Sequence, residues 1–577
     1  MRNLFGFDID GLEVASFLGS LRLLFSALAL VTALLVARTR DAARIGRAIL
    51  WLALAGHATS WFATTYPLPN LYAANGSMDR ENHLGWANVV ALGFSPLYTF
   101  QVNHIHFEPV WPLITAVLAG YDVDRVALVL HWASLFAGLG LIVSVRFVWA
   151  RLAPGDEQLR IEAAFAALGG VLLLAAPGDF WGPFRNPWAL TLLLKPNHAL
   201  GLILVPLAAL ALARAEGWKS RLYAGFVLQL VGWAFVIHMA LLVAGFITFV
   251  SLSWITKRAE RLKDFIDVAV AVGANLAIVS PYLVMLLVGY PIVHERGFLS
   301  GPPDRALEGT FRVGLLLVLS AFGAWGSYMN GGRLGRILSA QWLTAQIIWQ
   351  AYPLLSLFGM AREQDEVLYW CRFWTGMFAG AGILRAASLT LQRLKGRSAS
   401  VTPQLGARAA LSLVLLLPSL LPAWWDPSTM DRYFQTARQP IPDWIAEPTR
   451  FIRTSTPKNA VFLGDRKYAR WIAAYGARRV LFSNSLNAPT NAQRRMDVES
   501  AILHGASKTL VIEGMEKYEL QYVLVTGTPM EQAPTVTIDD LLRRPYLQVV
   551  YDRTFAEDRV VILQIVPGER RPKAGGS

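Results

Sequence analysis

Two clusters of carboxylates and imidazoles lie close together in an otherwise apolar stretch of this chain. The segment MDRENHLGWANVVALGFSPLY, Met78 to Tyr98, carries Asp79, Glu81 and His83. A carboxylate there could take the proton of an attacking hydroxyl if it lies within hydrogen-bonding reach. The same residues would also suit a solvated loop with ordinary charges. Further along, His104, His106 and Glu108 recur at every second position. In an extended segment all three side chains point to one side, an arrangement that zinc or manganese could accept. Interfacial histidines also serve simply as hydrogen-bonding groups, and no other cluster at ligand spacing is evident.

Three further sites involve cations. Lys195-Pro196-Asn197-His198 stands at the start of an apolar run. A Lys and a His at a helix N-terminus favour an anion such as a lipid phosphate, through charge and the free N–H groups; a Lys that only anchors the helix at the membrane surface is the alternative. In REQDEVLYWCRFW, Arg362 to Trp374, the acidic residues Glu363, Asp365 and Glu366 precede Arg372. Arg372 falls inside an apolar run, where a charge costs about 2.5–3.5 kcal/mol on insertion scales. It should therefore face a bundle interior and meet a phosphate, which a guanidinium grips bidentately, or one of those carboxylates. His238 sits at a break in a long apolar stretch and either lines the same cavity or is a satisfied polar residue.

The elements that must position these groups are membrane helices. Of 577 residues, 54% are apolar and 16% charged, with 20 Trp. Mean hydropathy is +0.40. Tryptophan at this level fits rings held at the headgroup region. The net charge of +13 sits in short loops between apolar runs, which is the positive-inside pattern and not a nucleic-acid groove. The single cysteine, Cys371, excludes an internal disulfide and a cysteine metal cluster. Asp8, Asp10 and Glu13 precede the first apolar run without a basic cluster, so no cleaved signal peptide is expected.

About twelve spans of roughly 20 residues are predicted: 20–37, 47–66, 125–148, 161–177, 198–214, 222–236, 240–256, 266–289, 311–328, 338–358, 367–386 and 407–424. The run 222–256 is too long for one helix and is basic at both ends, so it should turn back near Ile237-His238. The connections Arg38 to Arg47, Arg146 to Arg160, Arg214 to Arg221, Lys257 to Lys263, Arg333 to Arg336 and Arg385 to Arg408 are basic. Alternating spans place all six on the cytoplasmic side. The opposite side then receives 67–124, 178–197, 290–310, 359–366 and everything after about 425. Within the first of these, Leu84 to Gly93 reads as a short helix lying in the interface.

The tail differs. From Pro440 onward, strand-like runs (Ala460 to Leu463, Arg479 to Phe482, Tyr522 to Thr526, Leu547 to Tyr551, Val560 to Val566) alternate with helical patterns (Tyr468 to Tyr475, Thr490 to His504). This alternation predicts a small α/β domain. The domains expected are a transmembrane catalytic domain, 1–424, whose outer loop 67–124 carries the active site; a soluble outer (periplasmic) domain, 425–566; and a disordered end, 567–577. Neither a phosphate loop ending in Lys-Ser/Thr nor a dinucleotide fingerprint occurs, so ATP and NAD chemistry have no support.

In layout the chain resembles the GT-C superfamily of membrane glycosyltransferases, which take a sugar from a polyprenyl phosphate carrier. The likeness rests on the acidic outer segment SMDRENHLGWANVVALGFSPLY, the many spans that follow, and the outward α/β domain. It rests also on RFIRTSTPKNAVFLGDRKYARWIAAYGARRVLFSN, Arg450 to Asn484, and on REQDEVLYWCRFW. The resemblance implies an inverting transferase of the inner membrane. Asp79 would be the base, with Glu81 the second choice, and Lys195, Arg372 and His198 would hold the donor phosphate. His104, His106 and Glu108 would then serve the acceptor or a divalent metal. The implied partners are a polyprenyl-phosphate-linked sugar, membrane lipid, and a glycan, lipid or protein acceptor, with no nucleic acid. The chain departs from the family layout in carrying two candidate spans before the acidic loop, where members usually carry one. A transporter or flippase of a lipid-linked glycan, and a non-catalytic assembly protein, are the competing readings.

Overall fold

The computed structural model describes residues 11–65, 78–102, 108–152, 156–172, 196–289, 314–357, 364–394, 405–420, 441–464, 466–481, 492–504, 508–527, 537–556 and 558–566. The architecture is mainly helical with one small mixed sheet. Two compact units divide the chain: one holds Met1–Pro69, Trp132–Leu283 and Val293–Gln435, and the other Asn70–His131, Val284–Ile292 and Thr436–Ser577.

The helical unit contains α1 (Gly11–Ala37), α2 (Ala42–Thr65), most of α5 (Val123–Trp149), α6 (Glu157–Leu172), α7 (Pro196–Ala213), α8 (Trp218–Ala234), α9 (Val236–Ile255) and α10 (Arg261–Gly289). It continues with α11 (Gly314–Asn330), α12 (Gly332–Leu357), α13 (Gln364–Leu394) and α14 (Leu405–Leu420). Every predicted span thus contains a helix, including both before the acidic loop. By length and composition alone, Pro196–Ala213 and Val236–Ile255 could each cross a membrane. Val123–Ala133 with Leu135–Trp149, bent by 43°, makes a third if that pair is one span. Leu34, Leu35, Trp51, Phe136, Ile247 and Trp325 are exposed on these helices, a surface suited to hydrocarbon and not to water. At the centre, α13 packs against α6 and α11. A Cβ on Gly380 would lie 2.1 Å from the Phe165 carbonyl oxygen, so glycine is what lets α13 and α6 approach backbone to backbone.

The turn expected near His238 falls at Phe235, whose extended backbone (φ −159°, ψ 111°) separates α8 from α9. The ends of the two helices prove a hairpin. Near the start of α8, Arg221 Nε lies 2.5 Å from Asp267 of α10. Near the end of α9, Ser253 Oγ donates to Asp264 of α10 at 2.9 Å. Arg333 at the start of α12 pairs with both aspartates, at 3.1 Å to Asp264, and donates to the Ala215 carbonyl just past α7 at 3.1 Å. Three basic connections therefore meet at one end of this unit.

The second unit joins the first acidic loop to the tail. Its elements are α3 (Met78–Ala91), α4 (Val110–Leu118), α15 (Asp443–Ser455), β1 (Val461–Gly464), α16 (Arg466–Ala474), β2 (Arg479–Val480), α17 (Ala492–His504), α18 (Lys508–Lys517), β3 (Leu520–Thr526), α19 (Ile538–Leu542), β4 (Leu547–Thr554) and β5 (Arg559–Ile565). The sheet runs β2-β1-β3-β5-β4, parallel on the β2 side and antiparallel on the β4 side. All five strands overlap the predicted runs.

Candidate functional site

The acidic loop is built into the tail. Gln101 forms a parallel bridge with Val480; Val102 N–H donates to the Val480 carbonyl at 3.0 Å, and Val480 N–H donates to Phe100 at 2.9 Å. Phe100 to Val102 thus extends the sheet past β2. Arg495 of α17 is fully buried beneath this edge, donating to the Leu481 carbonyl at 2.6 Å and to the Val102 carbonyl at 2.5 Å. Burial pushes its guanidinium pKa down to about 10, the cost of desolvating a charge.

Helix α3 packs against α16. The interfacial helix expected over Leu84 to Gly93 is instead part of a longer helix buried on nearly every side from Glu81 to Val90. Its polar residues account for the difference. Asn88 donates to the Ala474 carbonyl at 2.8 Å. Glu81, 4% exposed, accepts from Trp471 Nε1 at 2.9 Å and pairs with Arg470 Nε at 2.9 Å. Those partners make Glu81 a clamp between loop and tail. His83 is buried with its ring centroid 4.9 Å from that of Trp111 in α4. Glu108, two residues before α4, is buried also.

Asp79 is the second residue of α3, and its side chain lies outside the described residues, as do His104, His106 and Lys195. Among the described residues no group of three or more His, Cys, Asp or Glu is placed to hold a metal ion.

The helical unit brings together another set. His198, the third residue of α7, and His238, the third of α9, are buried with ring centroids 5.5 Å apart. Phe235 lies 3.9 Å from His198 and 4.7 Å from His238. Trp370 of α13 lies 5.6 Å from His238, and Arg372, two residues on, is also buried. A Cβ on Gly201 would lie 2.6 Å from His238 Nδ1, so only glycine admits the ring against α7. This group sits away from the basic end: His238 and Ser253 are separated by about 22 Å of α9 at 1.5 Å per residue. The N-terminal ends of α7, α9 and α13 all belong to this end, and a helix N-terminus carries partial positive charge. The sequence points to His198 at a helix start, to Arg372 as a charge in an apolar run and to His238 at the break in the 222–256 run, but gives no sign of Trp370 beside them.

No protein-family model and no curated protein sequence matches the chain. Solved structures do. ArnT from Cupriavidus metallidurans bound to undecaprenyl phosphate aligns over 91% of this chain and 99% of its own, at 15% identity and a TM-score of 0.50. The Archaeoglobus fulgidus oligosaccharyltransferase aligns over 87% of this chain and 69% of its own, at 12% identity and a TM-score of 0.46. The arabinofuranosyltransferase AftD from Mycobacteria aligns over 90% of this chain and 40% of its own, at 15% identity and a TM-score of 0.47. The chain shares the overall fold of ArnT from Cupriavidus metallidurans. The alignment with ArnT runs through both the helices and the tail, since it leaves only a tenth of this chain uncovered.

Proposed function

We propose that the protein is an inverting membrane glycosyltransferase that moves a sugar from a polyprenyl-phosphate carrier to an acceptor hydroxyl on the outer face of the membrane. The observation that carries this reading is the end-to-end fold likeness to ArnT, whose structure was solved with undecaprenyl phosphate bound. The junction of three basic connections around Asp264 and Asp267 supports the arrangement in which about twelve spans keep the arginine-rich turns inside. The acidic loop and tail then belong to the outer, periplasmic side of the inner membrane.

In this mechanism the acceptor oxygen attacks C1 of the sugar, and its proton passes to the Asp79 carboxylate. The C1–oxygen bond to the phosphate breaks with its electron pair leaving on the phosphate. Lys195, Arg372 and His198 hold that phosphate. Cations and helix N-termini aimed at a developing phosphate charge lower the barrier in a water-poor site, and holding both substrates together removes much of the entropic cost. Glu81 fixes α3, the helix to which Asp79 belongs. His104, His106 and Glu108 serve the acceptor or a divalent metal.

The test is turnover by Asp79→Asn with a polyprenyl-phosphate sugar in detergent. A general base contributes about 10²–10⁴-fold, so turnover should fall by at least a hundredfold with unchanged melting. Product formed by the wild type in micelles, where no compartment exists, separates a transferase from a transporter. Undiminished turnover by Asp79→Asn sinks the assignment of the base.

A further inference from the structure

The residues assigned to the phosphate leave part of the same end of the helical unit unexplained. His238 is 0% exposed, and among the described residues neither of its ring nitrogens has a hydrogen-bond partner. Trp370 beside it is also 0% exposed, and its indole N–H likewise has none. The same holds for Trp374, whose ring centroid is 5.7 Å from that of Trp370. Buried polar groups are nearly always hydrogen-bonded, because leaving one unmet forfeits its hydration without return. Three unmet groups in contact therefore point to an absent partner. Their chemistry says which kind. Indole N–H is a donor only, and a neutral imidazole always offers one donor.

The backbone adds more donors. Phe235, at the N-cap of the 20-residue α9, supplies no side-chain acceptor, and the first N–H groups of a helix have no acceptor within it. His238 stands in that first turn, and His198 stands in the first turn of α7. The site is rich in donors and positive in potential, so its partner is an acceptor carrying negative charge.

We propose that His238 and Trp370 are phosphate-binding residues, their ring N–H groups donating to the phosphate oxygens of the carrier lipid where α7 and α9 begin. This rests on the polyprenyl-phosphate reading above and adds two neutral donors to its cations. Neutral donors bind the phosphate in the sugar-loaded carrier and in the released monoester alike. They hold the lipid through the reaction without neutralising the charge that must leave.

The experiment titrates the purified full-length protein in detergent with undecaprenyl phosphate and with undecaprenol, which lacks the phosphate; inorganic phosphate is added as a competitor. The wild type should prefer the phosphorylated lipid at least tenfold, and inorganic phosphate alone should compete weakly if the lipid headgroup is the ligand. His238→Phe should lose roughly tenfold of that preference, the worth of one hydrogen bond to a charged group. His238→Asn, which keeps a donor, should retain part of it, and Trp370→Phe should fall between. Melting of lipid-free His238→Phe should be no lower than wild type, because the variant removes two unmet nitrogens; a structural histidine would give the opposite. If His238→Phe and Trp370→Phe both keep the wild-type preference, the inference is wrong while the carrier reading stands. If the wild type itself shows no preference for the phosphate, both fall together.

Discussion

At the basic end of the helical unit, Asp264, Asp267 and Glu162 are fully buried, and each is met by an arginine. Ser253 and Gln158 donate to two of them as well. At the other end His238, Trp370 and Trp374 are buried as deeply, and among the described residues their ring nitrogens meet no hydrogen-bond partner. Helices α9 and α13 contribute to both ends, through Ser253 and His238 and through Arg385 and Trp370, so the difference is not one of helix quality. Charges that answer one another hold helices in register. Donors left unanswered cost stability, and a chain keeps them where a ligand completes them.

The contrast is tested first by breaking the answered end. Arg333→Ala leaves two buried carboxylates short of their shared partner, and removing one member of a buried ion pair costs about 3–5 kcal/mol. Thermal unfolding in detergent should show this as the largest loss of any single change named here. In the second unit, Glu81→Gln should cost about 1–3 kcal/mol by stripping the charge from Arg470 and weakening the Trp471 bond. Limited proteolysis should then cut near α3 sooner than in the wild type; equal cutting would show that the clamp is dispensable.

A smaller effect depends on pH. Arg559 grips Asp552 with two hydrogen bonds, at 2.9 and 2.6 Å, and this holds the carboxyl below the usual carboxylate range. A group whose pKa is lower folded than unfolded stabilises fully at neutral pH and loses that contribution as pH falls below about 4. Melting should drop across that acid range, and Asp552→Asn should flatten the drop. The smallest effect belongs to the solvent-facing pair Arg553–Glu447. Glu447→Gln should shift stability by less than about 1 kcal/mol, which would show that burial, and not the number of ion pairs, sets the value of the basic end.

Much of this architecture could be read from hydropathy. Each apolar run is a helix, each alternating run in the tail is a strand, and the excess length of 222–256 correctly required a turn, found at Phe235. Those signals are local, because period and run length are properties of neighbouring residues. What could not be read is which segments meet. The Leu84 to Gly93 stretch is amphipathic enough to suggest a lipid surface, yet Asn88 and Glu81 find partners in α16. A polar residue on an apolar face announces that it needs a partner but not where the partner is. For the same reason the sequence, which ranks Asp79 before Glu81 as a base through the family resemblance, gives no sign that Glu81 is held by Arg470 and Trp471. His238 carried a weak signal only, since a lone histidine gains meaning from the rings around it.

Arg495 reaches Val102 across 393 positions of chain, and Phe100 to Val102 closes the β2 edge of the sheet. During synthesis the first loop must wait for almost the whole polypeptide before its last strand partner exists, and contacts so distant in sequence form slowly. A chain halted before Arg479 would leave Phe100 to Val102 without the strand they pair with. A tail produced by itself would present the β2 edge bare, ready to pair with another copy. Closure of this sheet is therefore a natural checkpoint: the acidic loop is fixed only once every helix between the two halves of the unit has been made.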